Sequence, residues 1–196
     1  MDPLNHLSNY SIILGSGSPR RHELLSGLGL SFEIISSNIP EIIPSNIQNE
    51  DAPEYLARLK ADHLAPSLEG NFLLITADTV VIKDNQILGK PQSKDEAYMM
   101  ITALSGDAHD VITGVCITDK NKQQSFSDKT EVIFDPFSED EVKWFVDRFP
   151  VMDKAGAYGI QEGLGLAKIA GLNGSYYNVM GLPTHSLFAA LKSWRP

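Results

Sequence analysis

The sequence contains one cysteine, Cys116, in 196 residues, which excludes an internal disulfide framework. That cysteine lies in "VITGVCIT", residues 111–118, a setting that suits a small buried strand residue better than a reactive thiol. No apolar run approaches the roughly 20 residues needed to cross a bilayer. Residues 1–10 also lack the basic and apolar regions of a signal peptide. A soluble, cytoplasmic protein with no membrane partner is expected. Basic residues are scarce: 16 Lys and Arg stand against 25 Asp and Glu, for a net charge of −9. A chain without a broad basic face is a poor candidate for nucleic-acid binding. The histidines, at positions 6, 22, 63, 109 and 185, include no pair at metal-ligand spacing, which points away from zinc.

What is present is enough apolar residue, 42 %, for one globular domain with a sizeable core. No like-charge block or low-complexity tract interrupts it. "YSIILGS" reads as a buried strand, and Pro19 then opens a helix carrying Leu24, Leu25 and Leu28. "SFEIIS" reads as a strand, and Asn38 to Asn49 as a Pro/Asn-rich loop. Glu54 to Leu64 reads as a helix. "NFLLITADTVVIK" is expected to be a strand interrupted near Asp78, with "KDNQ" as the hairpin turn into "ILGKP". Capping-box pairs Ser93/Glu96 and Ser138/Glu141 announce two further helices. "HDVITGVCITD" and "SFSDKTEVIF" read as long antiparallel strands, and short strands are expected around "GAYGIQ" and "GLAKIAGL". A last helix after Pro183 bears Leu187, Ala190, Leu191 and Trp194. The expected class is α/β, a single domain with a mixed, largely elongated β-sheet flanked by helices.

"GSGSPRR", residues 15–21, lacks both the Gly-Lys-Ser/Thr ending of a P-loop and the glycine spacing of a dinucleotide fingerprint. Ser16, Ser18 and the amides that follow nevertheless sit at a helix N-terminus, which favours an anion. Arg20 and Arg21 there oppose the helix dipole at a cost of roughly 0.3–1 kcal/mol each. Either an anion comes between, or the pair lies on an exposed face beside Glu23 or Glu33. Asp78 follows "LLITA", apolar enough to be buried on both sides, so it needs a partner, a metal or a catalytic task unless it is a turn-forming residue. Asp78 and Lys90 are expected to face one cleft, although Lys90 also reads as a solvated loop residue. Glu41 and Lys60 need no special explanation alone. Gln161 ends "DKAGAYGIQ" either as a strand-end residue bonded to backbone or as a primary amide facing a ligand. In "GSYYNVMGLP", residues 174–183, core packing of one of the two tyrosines is the default.

Taken together, "GSGSPRRHELL", "LARLKA", "ITADTVV", "ILGKP", "LSGDAHDVITGV", "DKAGAYGIQ" and "GSYYNVMGLP" resemble the Maf family of nucleoside triphosphate pyrophosphatases. The resemblance implies a Maf-like domain over residues 11–192, an ITPase-like fold and a homodimer. It also implies a house-cleaning hydrolase that cleaves a nucleoside triphosphate to monophosphate and pyrophosphate with Mg²⁺ or Mn²⁺. Thr79 after Asp78, with Gln161 after "AYGI", resembles the branch acting on dTTP and UTP; the sister branch prefers 7-methyl-GTP. By this resemblance Asp78 is the proton acceptor, Lys60 and Lys90 are catalytic, and Ser16, Arg20, Arg21, Thr79 and Gln161 bind substrate. Asp78 and Glu41 would hold the metal. Residues 42–55 follow the family pattern poorly, and Glu162 is a local departure. A pyrophosphatase for modified or methylated nucleotides such as 7-methyl-GTP is the alternative among enzymes, and a non-catalytic nucleotide-binding regulator of septum formation is the rival to an enzyme.

Overall fold

The computed structural model describes residues 3–195. Strand β1 (Ser11–Leu14) leads through a short turn to helix α1 (Pro19–Gly27), whose first position is the proline and whose Leu24 and Leu25 are buried. Strand β2 spans only Glu33–Ile34; the remainder of "SFEIIS" is irregular, and so is the predicted loop after it, apart from isolated turns. Helix α2 (Ala52–Leu64) follows, and then strand β3 (Phe72–Lys83).

β3 runs through Asp78 without the expected break. Its hairpin partner β4 (Gln86–Leu88) pairs antiparallel, and Asp84 and Asn85 adopt the positive φ that the tight turn requires. Helix α3 (Lys94–Leu104), strands β5 (Ala108–Thr118) and β6 (Gln123–Phe134) and helix α4 (Glu139–Arg148) occupy the places their patterns announce. The second capping box forms in full at α4. At α3, Ser93 caps the Glu96 amide, but the Glu96 carboxylate accepts from Gln92 N instead.

The last third departs most from expectation. "GAYGIQ" is not a strand; it is a 3-10 turn (Ala155–Ala157) followed by irregular backbone. "GLAKIAGL" divides into helix α5 (Gly163–Lys168) and strand β7 (Ile169–Asn173). "YYNVM" is helix α6 (Tyr176–Met180), and both tyrosines are exposed. The buried residue there is Asn178, whose amide donates to Val111 O at 3.0 Å and Thr130 Oγ1 at 2.9 Å. Helix α7 (Thr184–Ser193) closes the chain with Leu187, Leu191 and Trp194 fully buried.

The sheet has seven strands in the order β2-β1-β3-β5-β6-β7, with β4 paired to β3. β1 is parallel to β2 and β3, while β7 is antiparallel to β6. The architecture is therefore α/β with a mixed sheet flanked by helices. The chain divides into two compact units. The first comprises residues 1–78, 113–128 and 181–196, and the second residues 79–112 and 129–180. In the first, Ile13, Phe72, Leu74 and Cys116 pack with Ala57, Ala61 and Leu64 of α2. Gly114 admits the start of α2 to the sheet, since a Cβ there would lie 2.2 Å from Glu54 N. In the second, Ile101, Leu104, Val132, Phe134, Phe145 and Tyr158 belong to a separate core.

Candidate active site

Two periodicities place the central carboxylate. Phe72, Leu74, Thr76 and Asp78 recur every second residue and share one face of β3. Leu56, Ala57, Lys60, Ala61 and Leu64 form the buried stripe of α2. Thr76 Oγ1 donates to Ala57 O at 2.7 Å. One step further along each element, Lys60 Nζ donates to Asp78 Oδ1 at 2.5 Å. Both residues are buried, Lys60 at 7 % exposure and Asp78 at 7 %. This pairing explains why β3 continues: the charge of Asp78 is met by a cation, so the strand need not turn aside for water. Lys60 is no surface lysine either. It occupies a core-facing position between Leu56 and Leu64, a spacing that sequence reading passed over.

Glu41 reaches the same ammonium, with Lys60 Nζ 2.7 Å from its Oε1, and is itself half-exposed. Sequence reading placed Glu41 in a loop, and the fold brings that loop to α2. Arg21 approaches from α1. Its Nε donates to Gly181 O at 2.8 Å and its Nη1 to Ser16 Oγ at 3.3 Å. Ser16 Oγ also accepts from Ser18 N at 3.3 Å, so the serine organises the turn ahead of α1. The ring of His22 sits 2.6 Å from Ser16 O, a contact sequence reading missed. It holds the same turn through the backbone.

Burial pushes the Asp78 carboxyl above the ordinary aspartate range, and Glu41 adds to this, while Lys60 and Arg21 oppose it. Burial likewise lowers the Arg21 guanidinium; Arg20 adds to this, and Asp78 and Glu41 oppose it. The group thus gathers Arg21 and Lys60 around Asp78 and Glu41, with Arg20 acting on Arg21. A local cluster of this kind is screened from the rest of the acidic surface over about 8 Å.

The second unit holds the other expected residues. Thr79, the chain neighbour of Asp78 on β3, is half-buried, and Lys90 is exposed. Gly156 N donates to Gly89 O at 3.1 Å, so the Lys90 loop and the turn before Gln161 are tied together. Gln161 is half-buried, and its Oε1 is buried without a hydrogen-bond partner. Sequence reading missed Lys154 in the same segment, a cation with 3 % side-chain exposure paired to Asp153 and Glu162. Cys116 is fully buried, and its thiol is pushed up to about 11 by burial, so it is structural.

The Maf-like protein family model matches residues 11–194. The chain belongs to the Maf-like family. Among curated Maf-like relatives, a dTTP/UTP pyrophosphatase of Bacteroides thetaiotaomicron is 44 % identical over 190 residues, covering 96 % of this chain and 98 % of the relative. A protein of the same description from Porphyromonas gingivalis strain W83 is 47 % identical over 194 residues, covering 97 % and 98 %. One from Phocaeicola vulgatus is 46 % identical over 190 residues, covering 96 % and 98 %. No helix among the described residues of this Maf-like protein is long and apolar enough to cross a membrane.

The donor set of the first unit can be tested against a metal. Among the described residues no group of three or more His, Cys, Asp and Glu side chains comes together. Two carboxylates do, Asp78 and Glu41, joined through Lys60. An all-oxygen pair of this kind has the donor chemistry that suits a hard divalent cation such as Mg²⁺. It does not fit zinc.

Proposed function

We propose that this Maf-like protein hydrolyses dTTP and UTP to the nucleoside monophosphate and pyrophosphate, by attack of water at the α-phosphorus. The observation that carries the reading is the buried Asp78, paired to Lys60 and surrounded by Glu41 and Arg21. The names of the curated relatives support the substrate class.

Asp78 is the proton acceptor. Its raised pKa strengthens it as a base relative to an exposed aspartate while leaving it ionised above that pKa. Lys60 holds Asp78 Oδ1 in place and contributes positive charge beside the reacting phosphate. Arg21, anchored by Gly181 O and Ser16, presents its guanidinium from a fixed position, which suits bidentate phosphate binding. Arg20 and the Ser16 turn complete that phosphate subsite. Asp78 and Glu41 would hold Mg²⁺ or Mn²⁺, which when bound supplies charge neutralisation at phosphate oxygens. Lys90, on its exposed loop, adds a point charge for the leaving pyrophosphate.

In the second unit Gln161 reads the base, and Thr79 adds a hydroxyl contact. Uracil and thymine present an imide N–H between two carbonyls, and a primary amide matches part of that edge with one acceptor and one donor. Cytosine lacks the N3 proton, so an acceptor placed for it meets another acceptor.

The test is turnover of a panel of dTTP, UTP, CTP, ATP, GTP and 7-methyl-GTP by purified protein with Mg²⁺ or Mn²⁺ and with chelator. The expected result is preferential loss of dTTP and UTP with pyrophosphate as first product, abolished by chelator. Preference for a purine nucleotide, orthophosphate as first product, or no turnover of any nucleotide would overturn the reading.

A further inference from the structure

The segment that carries Gln161 is held by a cation to which the catalytic reading gives no task. Lys154 is 3 % exposed. A lysine so buried requires its charge to be paired and its three N–H donors to be met. The acceptors are Asp153 Oδ1 at 2.8 Å, Glu162 Oε1 at 3.0 Å and the carbonyl of Pro150. Pro150 and Glu162 lie at opposite ends of the segment, so the ammonium is a non-covalent cross-link across it.

We propose that Lys154 is a positioning residue for base discrimination: through its pairing with Glu162 it fixes the turn from which Gln161 presents its amide. The proposal rests on the reading of Gln161 as the residue that meets the base. Gly159 shows how closely the parts fit. A Cβ at that position would lie 3.0 Å from Lys154 Cε, 3.0 Å from Glu162 Oε1 and 3.3 Å from Gln161 Oε1. Three side chains therefore converge on one α-carbon that carries none.

The turn is also confined from outside. A Cβ on Gly165 of α5 would lie 2.3 Å from Gly159 O and 2.5 Å from Ile160 Cα, so α5 packs directly on it. Upstream, Tyr158 is joined to His109 of β5 at 2.6 Å. Held this way, Gln161 keeps Oε1 buried and without an internal partner, an acceptor awaiting an N–H. The N3 proton of uracil or thymine is such a donor, and cytosine has none. Glu162 takes part in this arrangement where the sequence departs from the family pattern: it supplies one of the three acceptors that Lys154 needs.

The experiment compares the ratio of kcat/KM for UTP over CTP in wild type, Gln161→Ala, Glu162→Ala, Lys154→Met and the double variant Lys154→Met/Gln161→Ala. Glu162 is partly exposed, so Glu162→Ala folds even where Lys154→Met does not, and it then decides alone. Displacing a recognition group by about 1 Å can cost on the order of a hundredfold. Glu162→Ala is expected to lower the ratio about tenfold, mainly through KM for UTP, with pyrophosphate still the first product. Lys154→Met should lower it further and add little to Gln161→Ala, since both act through one amide. If Gln161→Ala leaves the ratio unchanged, the base-reading role fails and the proposal with it. If Gln161→Ala lowers the ratio while Glu162→Ala and Lys154→Met do not, or if the double variant shows full additivity, Lys154 is structural only and the proposal is overturned.

Discussion

Lys60 Nζ lies 2.5 Å from Asp78 Oδ1 and 2.7 Å from Glu41 Oε1, so one ammonium bridges two carboxylates. The bridge joins a buried carboxylate to a half-exposed one, and it makes the behaviour of Asp78 depend on Lys60. Asp78→Asn preserves the shape of the side chain and leaves Lys60 paired with Glu41. The variant should fold normally and lose activity by about 10²–10⁴-fold, the usual contribution of a positioned base. Circular dichroism and thermal melting check the fold; a variant retaining most of its turnover would show that another group accepts the proton.

The pH profile follows from the direction of the Asp78 shift. Burial raises the carboxyl above its ordinary value of 3.8, and only the ionised form accepts a proton. The acidic limb of kcat/KM is therefore expected at higher pH than an exposed aspartate would give. For stability the sign is opposite: a raised carboxyl favours the folded state most below its unfolded value, and that contribution is lost as pH rises through the folded one. An acidic limb at or below 3.8 would contradict the assignment.

Lys60→Met removes the strongest opposing charge from Asp78 and leaves it facing Glu41. The acidic limb should move to still higher pH, and stability should fall by up to about 3 kcal/mol. That is the lower end of the range for breaking a buried pair, because Asp78 can take up a proton instead. A profile unchanged in position would separate Lys60 from the titrating group.

Arg21 and Lys90 should respond differently to removal. Arg21 donates to Gly181 O and Ser16 Oγ, so Arg21→Ala should raise KM and also lower stability by about 1.5–3 kcal/mol, the worth of a hydrogen bond to a charged group. Lys90 is exposed, and Lys90→Ala should slow turnover with a stability change below about 0.5 kcal/mol. Paired melting curves and kinetics distinguish the two; an equal loss of stability in both would be inconsistent with their different anchoring.

Gln161→Glu keeps an acceptor at the base but removes the amide donor. The preference for UTP over CTP should fall by about tenfold or more, while the product remains pyrophosphate. Competition between the two nucleotides in one reaction measures it, and an unaltered preference would remove Gln161 from base recognition.

Local chemistry made much of the architecture legible. Pro19 marked the start of α1, Ser138 and Glu141 formed the predicted box at α4, and Leu187, Leu191 and Trp194 lie buried as α7 or its end. The errors fall where tertiary partners overrode local signals. β3 continues through Asp78 because Lys60 arrives from another element, and "YYNVM" is helical with its asparagine inward because Val111 O and Thr130 Oγ1 satisfy that amide. The glycine-rich "GAYGIQ" alternates like a strand but is shaped by contacts of Lys154, His109 and Gly89. The cations and carboxylates were legible as types, and the coming together of Glu41, Lys60 and Asp78 was not. No local pattern encodes which loop reaches which helix.

The central claim, water attack at the α-phosphorus of a pyrimidine nucleoside triphosphate, is tested most directly by hydrolysing UTP in water enriched in heavy oxygen and weighing the products. The account predicts the heavy atom in the monophosphate and unlabelled pyrophosphate. Label in pyrophosphate, or release of labelled orthophosphate, would place the attack at another phosphorus and contradict it.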